Sequence, residues 1–285
     1  MTSERAGRAV MITGASTGIG RACALRLDEA GARVFAGVRN ESDGDALKRN
    51  ASDALTPVLI DVTLPETIAS ARDTVAEAIS DAGLAGLVNN AGVFYGGPLE
   101  FAPLDELRQL FEVNFFGVVS VTQAFLPLLR KAKGRLVNMS SVSGLFAFPF
   151  LGPYASSKHA LEALTDSWRL ELRPWGIKVS LVEPGEVDTP IFDKGLETLR
   201  KARETYPAEA RELYGPVFGL AEQQERRMIP PERVAKVVEH AIFARNPKRR
   251  YLVGPDARLI TIFGKIPLAL REWLIARQFP KYGEA

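Results

Sequence analysis

The sequence predicts a single α/β domain in which helices cover both faces of a doubly wound, parallel sheet. Short apolar runs alternate along the chain with longer helical segments, as they do where right-handed helical crossovers join parallel strands. A glycine-rich segment directly follows the first of these runs. The length of 285 residues, of which 46% are hydrophobic, suffices to bury one sizeable core. We therefore expect residues 1–285 to form one domain.

Composition excludes several classes of function. The 36 lysines and arginines offset 34 acidic residues to a net charge of +2 without any long basic stretch, so nucleic acid is not an expected partner. A lone cysteine, Cys23, and two isolated histidines provide neither a disulfide framework nor a metal-ligand pattern, so no metal is expected. The N-terminal segment lacks the design of a secretory signal, and no run of 18 apolar residues occurs. We expect a cytoplasmic protein that is at most peripheral to a membrane.

The predicted strands are apolar nearly throughout, as strands are when both faces of a parallel sheet are covered. In chain order they span residues 9–13, 33–38, 56–61, 86–90, 135–140, 178–184 and 249–254. The predicted helices, most of them with glycine or proline near an end, span residues 18–32, 65–83, 104–131, 154–174 and 230–244. Charged helical sequence at 190–230 is expected to form a lid over the pocket, and residues 256–285 form an apolar and basic C-terminal tail.

The glycine-rich segment lies between the first strand and the first helix, where Rossmann-type folds carry their phosphate-binding loop. Gly14 permits the tight turn, Gly18 lets the backbone approach a pyrophosphate, and Gly20 lets the helix pack closely on the strand. The helix N-terminus adds N–H groups and a positive dipole. The loop positions expected to contact the cofactor are Gly14, Ser16, Thr17, Gly18, Ile19 and Gly20. The alternative is a glycine-rich turn without a ligand.

The end of the second strand predicts which dinucleotide is bound. In such folds this tip faces the adenosine ribose, where a carboxylate holds the 2′-hydroxyl and a cation accepts a 2′-phosphate. Val38 and Arg39 occupy the tip without an acid, so NADP(H) is expected to be preferred over NAD(H). The alternative is that Arg39 is a solvated surface residue. After the third strand, Asp61, with Val62 beside it, either accepts from the adenine amine or caps a turn.

Small and amide-bearing residues follow the fourth and fifth strands, at the edge where open α/β sheets bind ligands. After the fourth strand, Asn90, Ala91 and Gly92 are expected to pack against the cofactor. After the fifth, Ser141 lies at the same edge. Asn114 is a polar residue within an apolar helical run, so it either caps a backbone defect or holds a water in a network.

Tyr154 and Lys158 are four positions apart in a predicted helix and therefore share a face. A lysine at this spacing favours the phenolate and lowers the pKa of the phenol from about 10 toward the working pH. The pair suits proton exchange with a group in the pocket, the alternative being an ordinary helix start.

Together these segments resemble the short-chain dehydrogenase/reductase family. The matching segments are "TGASTGIG", "NNAG", Asn114, Ser141 thirteen positions before Tyr154, "YASSK" and "PGEVDT", which follow the family's order from about residue 9 to residue 189. The resemblance implies that Tyr154 is the general acid or base, and that Lys158 lowers its pKa and holds the nicotinamide ribose. It implies that Ser141 binds the substrate oxygen and that Asn114 keeps a water in the proton relay. The residues it places along the nicotinamide are Pro184, Gly185, Val187 and Thr189.

Aromatic residues are expected to form part of the pocket wall. Phe94 and Tyr95 follow the fourth strand, and Phe146, Phe148 and Phe150 follow the fifth, with about half of them expected in the core or at a subunit contact. This favours a lipophilic substrate such as a steroid, a retinoid-like alcohol or an aromatic ketone. The alternatives are a reductase of polar metabolites and a non-catalytic, nucleotide-sensing regulator. The intact serine, tyrosine and lysine set favours the enzyme.

Apolar surface outside the pocket predicts further contacts. The helices that hold Asn114 and Tyr154 are apolar on more than one face, which favours a homodimer or a homotetramer. The tail is broken by charged residues and Pro267, so it is too short and too charged to span a bilayer. It either packs on the pocket mouth or on another subunit, or it lies on a membrane surface.

Overall fold

The strands form one fully parallel sheet. The computed structural model describes residues 6–218, 228–264 and 266–277. Within these residues the strands are β1 (Ala9–Ile12), β2 (Arg33–Val38), β3 (Leu55–Leu59), β4 (Gly86–Asn89), β5 (Arg135–Met139), β6 (Lys178–Pro184) and β7 (Arg250–Val253). They are arranged in the order β3-β2-β1-β4-β5-β6-β7, and every neighbouring pair is parallel. The predicted doubly wound sheet is confirmed.

Helices follow nearly every strand. In the described part of the chain they are α1 (Gly18–Glu29), α2 (Glu41–Lys48), α3 (Pro65–Ile79), α4 (Leu104–Phe111), α5 (Gly117–Ala132), α6 (Gly152–Glu171), α7 (Pro190–Thr205), α8 (Ala208–Phe218), α9 (Pro231–Phe243), α10 (Pro255–Phe263) and α11 (Leu268–Ala276). The helices α7 and α8 cover the predicted lid as far as residue 218, and its residues 219–227 lie outside the described residues. The helices α10 and α11 belong to the predicted tail, of which residues 265 and 278–285 likewise lie outside.

The core has two layers because successive residues of a strand point to opposite faces of the sheet. Val10 and Ile12 of β1 pack in one apolar cluster with α1 and α9, whereas Met11 packs in the other with α3 and α5. Cys23 of α1 lies in the first cluster, and its burial raises the pKa of the thiol to about 12. The cysteine is therefore a core residue rather than a reactive one.

The order of the strands reverses beside β1. The strand pairs with β2 on one side and with β4 on the other. The loop after β1 is tied to both neighbours, since Thr13 N donates to Val88 O at 3.0 Å and Ala15 N donates to Gly37 O at 2.8 Å. The segment predicted to bind phosphate thus begins at the switch point, where open α/β sheets bind their ligands.

Two helical features depart from the sequence prediction. The pattern does not predict α2, a short polar helix in which the side chain of Asn40 accepts from Asp43 N at 2.9 Å. The predicted helix over residues 104–131 contains a π-helical turn, Glu112–Phe116, that joins α4 to α5. Such turns are frequent at functional sites, and this one carries Asn114.

The joined stretch Leu104–Ala132 is, among the described residues, the one helical segment long and apolar enough to cross a membrane by length and composition. Its α5 part packs on β4 and α3 within the fold. Val121 and Phe125 of α5 are completely buried there. The α5 part of the stretch is therefore a core helix of the domain.

Candidate active site

The glycine-rich loop has the backbone that a phosphate cradle requires. Gly14 and Gly18 have φ angles of +66° and +53°, which other residues rarely adopt. A Cβ on Gly14 would lie 2.8 Å from Ala91 Cα, so the loops after β1 and β4 approach each other more closely than any side chain allows. The helix α1 begins at Gly18. Thr17 is its N-cap residue, and the Thr17 side chain forms no hydrogen bond with the first N–H groups of the helix. These N–H groups are available to an anion, so the loop fits a dinucleotide pyrophosphate.

The loop after β4 braces the glycine-rich loop through Thr13 and Asn90. Asn90 Nδ2 donates to Thr13 O and to Gly14 O, each at 3.0 Å. In return Thr13 Oγ1 accepts from the backbone N–H groups of Asn90 and Ala91, at 3.0 and 3.1 Å. Asn90 was predicted at this site, whereas Thr13 was not. The signal for Thr13 is its place directly between the apolar strand and Gly14, where a buried hydroxyl needs nearby backbone partners.

The residues at the adenosine end lie beside the same loop. The bond from Ala15 N to Gly37 O holds the tip of β2 against it. Val38 is 2% exposed, whereas Arg39 is exposed and forms no ion pair with any described residue. Asp61 Oδ1 accepts from both the backbone N–H and the hydroxyl of Thr63, so the turn-capping role is present. The neighbouring Val62 packs against the start of α5, since a Cβ on Gly117 would lie 2.8 Å from Val62 Cγ2.

Tyr154 and Lys158 lie in the first turns of α6, beside the end of β5. The Tyr154 side chain is half-buried, and its phenol forms a hydrogen bond with the hydroxyl of Ser141. Lys158 is only 5% exposed, and its Nζ donates to Met139 O at 3.0 Å. The same Nζ lies 5.6 Å from the centroid of the Tyr154 ring. The structure therefore brings the three predicted side chains into one group.

Burial dominates the electrostatics of this group. It raises the pKa of Tyr154 to about 12, which the hydrogen bond from Ser141 counteracts only in part. Burial also lowers the pKa of Lys158 to about 8, although the nearby carboxylate of Glu162 acts in the opposite direction. The sequence pattern predicts that Lys158 lowers the pKa of Tyr154 below its usual value. In the structure, desolvation of the phenolate raises this pKa instead. The phenol is thus protonated at neutral pH and able to act as an acid.

Asn114 fixes the loop after β4 beside Lys158. Its Oδ1 accepts from Val93 N and its Nδ2 donates to Val93 O, both at 2.9 Å. Nδ2 also donates to Ser157 Oγ at 3.1 Å, which links the π turn to α6. A Cβ on Gly92 would lie 3.3 Å from Asn114 Oδ1 and 3.9 Å from Lys158 Nζ. The glycine therefore keeps open the space between the two groups, as a cofactor or relay water requires.

The segment after β6 crosses over the glycine-rich loop. A Cβ on Gly18 would lie 3.0 Å from Thr189 Cγ2, so Thr189 directly covers this loop. Glu186 N donates to Asp256 Oδ2 at 2.7 Å, and a Cβ on Gly185 would lie 1.8 Å from the same oxygen. Asp256, in the first turn of α10, thus holds the predicted nicotinamide loop. Sequence reasoning missed this residue, which lies some 70 positions away along the chain.

Aromatic side chains cover the phenol of Tyr154. The Phe94 ring centroid lies 5.0 Å from that of Tyr154 and 4.6 Å from that of Phe192 on α7. Tyr95 is buried instead, with its hydroxyl 3.2 Å from the hydroxyl of Tyr206. Of the residues predicted to form the wall, Phe94 thus makes a ring contact with Tyr154, and Tyr95 belongs to the buried cluster on which Tyr154 packs.

The loop after β5 divides its aromatic residues between packing and the lid. Phe146 is buried against Phe148 and Phe263, at centroid distances of 4.7 and 5.6 Å. Phe150 lies edge-on to Tyr214 of α8 at 6.1 Å. Phe146 is therefore a core residue, whereas Phe150 contacts α8.

Known proteins resemble this chain over most of its length. The short chain dehydrogenase family model matches residues 8–199. The 17-beta-hydroxysteroid dehydrogenase type 6 of Bos taurus is 38% identical over 286 residues, covering 97% of this chain and 90% of its own. Retinol dehydrogenase 16 of Homo sapiens is 38% identical over 260 residues, covering 88% and 82%. A crystal structure of a short chain dehydrogenase from Burkholderia cenocepacia J2315, in complex with NADP, is 26% identical with a TM-score of 0.73, covering 97% of this chain and 99% of that one.

The fold, the geometry of the glycine-rich loop and the similarity to known proteins all indicate the same family. The glycine-rich loop at the switch point and the Ser141, Tyr154 and Lys158 group stand within the matched residues. The chain belongs to the short-chain dehydrogenase family and is an oxidoreductase that uses a nicotinamide cofactor.

Proposed function

We propose that the protein transfers hydride between a nicotinamide cofactor and the carbonyl or hydroxyl carbon of a lipophilic substrate, such as a steroid, a retinoid-like alcohol or an aromatic ketone. One observation carries this proposal: the phenol of Tyr154 is hydrogen-bonded to Ser141 and contacts the tilted ring of Phe94, with the ring centroids 5.0 Å apart. The proton donor Tyr154 and the apolar side chain of Phe94 are thus in contact. A bulky apolar substrate gains by burying its body there, while its oxygen reaches the two hydroxyls.

Each member of the group has a distinct role in this proposal. The bound nicotinamide supplies or accepts the hydride. During carbonyl reduction, the Tyr154 O–H bond breaks and its proton passes to the substrate oxygen, which Ser141 orients by a second hydrogen bond. Lys158 stabilises the resulting phenolate and passes a proton back to it. Asn114 holds the relay water on the far side of Lys158.

The cofactor would be held by residues from α6, from the end of β6 and from the segments that follow β1, β2, β3, β4 and β6. Those proposed to bind it are Gly14, Ser16, Thr17, Gly18, Ile19, Gly20, Arg39, Asp61, Val62, Asn90, Ala91, Gly92, Tyr154, Lys158, Pro184, Gly185, Val187 and Thr189. The open N-terminus of α1 supports the pyrophosphate position, and the contact between Thr189 and Gly18 supports closure over it. Asp61 retains Oδ2 for the adenine amine while Oδ1 serves the turn.

NADP(H) is the proposed preferred cofactor, with NAD(H) as a poorer substitute. The support is Arg39, an exposed cation beside the glycine-rich loop, together with the apolar Val38 at the place of the usual acid. The Burkholderia relative was solved with NADP.

The relatives support the class of substrate. The two curated proteins described above are named for a hydroxysteroid and for retinol, which are both apolar alcohols. In this chain Phe94 and Phe192 provide the corresponding apolar cover. We propose that α7 and α8 act as the lid of this pocket, since both lie against the loop that carries Phe94.

A cofactor-oxidation screen tests the proposal. Purified protein is assayed with NADPH and with NADH against ketones of graded apolar size, and in reverse against the matching alcohols. We expect catalytic efficiency to rise with the apolar body, by up to about 0.8 kcal/mol for each buried methylene. Highest efficiency with small polyols would instead identify a reductase of polar metabolites. Tight cofactor binding without turnover on any compound would identify a regulator.

We propose that the protein is a homodimer or a homotetramer, paired through the helices α4 to α6. Leu104 and Phe116 are exposed there and flank a shallow apolar groove that also contains Leu107 and Phe111. Light scattering of wild type and of Phe116→Asp tests this surface. A wild-type mass equal to one chain contradicts the proposal.

We further propose a cytoplasmic protein whose tail contacts membranes peripherally. Leu259, Leu268, Leu270 and Trp273 are exposed apolar residues of α10 and α11. Co-sedimentation with anionic vesicles should weaken in Trp273→Ser and persist in Leu170→Ser, which removes a more exposed apolar side chain from α6. Equal binding by both variants contradicts a role of the tail.

A further inference from the structure

A cluster of buried charged side chains adjoins Lys158, and the proposed reaction leaves it without a role. Glu162 lies one helical turn beyond Lys158 on α6, and Glu183 lies on β6. The two residues are 6% and 1% exposed. The hydroxyl of Ser140, at the end of β5, donates to Glu162 Oε1. Carboxyl groups are rarely buried so completely without partners that compensate for the lost hydration.

Arg250 of β7 connects both carboxyl groups to the surface. Its Nη1 donates to Glu162 Oε2 at 2.5 Å and to Glu183 Oε1 at 2.6 Å. Its Nη2 lies 3.2 Å from Asp166 Oδ2, at the partly exposed end of the cluster. The residues that face Glu162 therefore come from four elements: Lys158 and Asp166 from α6, Ser140 from the end of β5, Glu183 from β6 and Arg250 from β7.

Arg250 Nη1 holds the two carboxyl groups close together, since it donates to one oxygen of each. Glu183 Oε2 is buried and has no hydrogen-bond partner among the described residues. Burial, followed by the negative charge of Glu162, raises the pKa of Glu183 to about 7. Glu183 is therefore protonated at acidic pH and loses its proton near neutrality.

We propose that Glu162 is a positioning residue for the reaction: its carboxylate, oriented by Ser140 and Arg250, keeps the buried ammonium group of Lys158 charged. The inference rests on the proposed role of Lys158. The two residues are four positions apart on α6 and therefore share a face of the helix. The hydrogen bond of Lys158 to Met139 O reaches a neutral carbonyl, so the compensating negative charge comes from Glu162. The turn after Ser141 leaves room for this carboxyl group, since a Cβ on Gly144 would lie 3.0 Å from Glu162 Oε1.

Removing the charge of Glu162 should narrow the pH range of carbonyl reduction. In Glu162→Gln, Lys158 loses the carboxylate that favours its cation. This loss moves the deprotonation of Lys158 to lower pH. We expect the alkaline limb of the kcat profile to shift down by about one pH unit, the lower end of the effect of an opposite charge at close range. The KM of the ketone at pH 6 should stay near the wild-type value.

Three comparisons separate this role from a structural one. Glu171→Gln makes the same change at an exposed position of the same helix and should leave the limb in place. Glu183→Gln should also leave it in place, because Glu162 then keeps its charge. Cofactor affinity, measured by fluorescence titration without turnover, should fall between pH 7 and pH 9 more steeply in Glu162→Gln than in wild type. Glu162→Asp keeps a carboxylate on a shorter side chain and should show a smaller shift. It replaces Glu162→Gln in this test if the glutamine variant does not fold.

An alkaline limb that stays at its wild-type position in a folded Glu162→Gln or Glu162→Asp protein overturns the inference. So does an equal shift in Glu183→Gln, which would assign the effect to general loosening of the cluster. Failure of the proposed function gives a different result: full activity of Tyr154→Phe would remove the catalytic roles of Tyr154 and Lys158, whatever the position of the limb.

Discussion

Tyr154 combines two opposing influences within one side chain. Burial raises the pKa of its phenol to about 12, while the bond from Ser141 favours the phenolate. Because the first influence is larger, the phenol keeps its proton at neutral pH. In the proposed reaction a substrate oxygen takes this proton, and the adjoining ammonium group of Lys158 limits the cost of leaving a negative charge behind.

The first prediction is that Tyr154→Phe removes most turnover and leaves cofactor binding near normal. The change deletes the transferable proton and little volume, and general acid catalysis contributes about a hundredfold or more. Steady-state kinetics and fluorescence titration of the cofactor measure the two effects. Tyr214→Phe is the matched control. It also deletes a tyrosine hydroxyl, which lies on α8 and donates to Glu100 at 2.8 Å. A Tyr154→Phe rate within tenfold of wild type would assign the proton to another group.

The second prediction concerns Val38 and Arg39. Replacing them with Asp and Gln should reverse a preference for NADP(H), because the new carboxylate accepts from the ribose hydroxyls and repels the 2′-phosphate. A charge-assisted hydrogen bond of about 1.5 to 3 kcal/mol corresponds to a preference of roughly ten to over a hundredfold. The ratio of kcat/KM values for the two cofactors measures it. Arg49→Gln removes an exposed arginine from the end of α2 and should not change the ratio. A wild-type ratio that favours NAD(H) contradicts the role of Arg39.

The sequence predicts the side chains whose spacing is local and misses those whose partners are distant. Tyr154 and Lys158 are recognised because four positions place them on one face of a helix. Glu162 and Glu183 meet only because α6 and β6 pack side by side, and Arg250 joins them from β7. No spacing along the chain signals this cluster. The same holds for Asp256, whose contact with Glu186 follows from the packing of α10.

At the scale of elements, the lid helices are held against the loop after β4 by aromatic contacts. Phe192 of α7 stacks on Phe94, and Tyr206, between α7 and α8, meets Tyr95. Gly195 makes the first contact feasible, since a Cβ at this position would lie 2.1 Å from Phe94 Cδ1. Because Gly195 has no side chain, α7 can approach Tyr154 this closely.

The third prediction is that Gly195→Ala narrows the pocket. Phe94 must move, and the lid must rise or the ring must tilt toward Tyr154, at a cost of about 1 to 3 kcal/mol for overpacking. We expect KM to rise for large ketones more than for small ones, measured across the graded series. Gly215→Ala in α8 is the control, because a Cβ there would meet nothing within 4 Å. If the two changes have equal effects, or if KM changes uniformly across the series, Gly195 does not determine the size of substrate that the pocket accepts.

The elements themselves were largely predictable, with instructive exceptions. Apolar runs bounded by glycine and proline place all strands of the sheet to within two residues of their observed ends. The helix α2 has mainly polar residues and is too short to show a periodic face, so its N-cap, Asn40, was its main local signal. The π turn at Glu112–Phe116 arises from how the joined helix meets the loop after β4, which local periodicity does not encode.

At the scale of the whole molecule, the fourth prediction links stability to pH through Glu183. Its pKa in the folded chain is raised from 4.5 to about 7, so the folded state binds this proton more tightly than the unfolded state does. The associated stability is fully present below pH 4.5 and is lost as the pH rises through about 7. The Tm of Glu183→Gln should therefore fall less than that of wild type between these pH values. Parallel Tm profiles would show that Glu183 holds no extra proton in the folded chain.

The bracing of the glycine-rich loop also has a consequence for the order of folding. Asn90 and Thr13, whose bonds hold this loop, are 77 positions apart, and β1 and β4 must pair before they meet. Contacts of such sequence separation form late, because closing a long loop costs entropy before the contacts compensate for it. The cofactor pocket is thus one of the last parts of the chain to take shape. We expect bound cofactor to slow unfolding while leaving the rate of refolding nearly unchanged, since it can bind only a chain that has already folded.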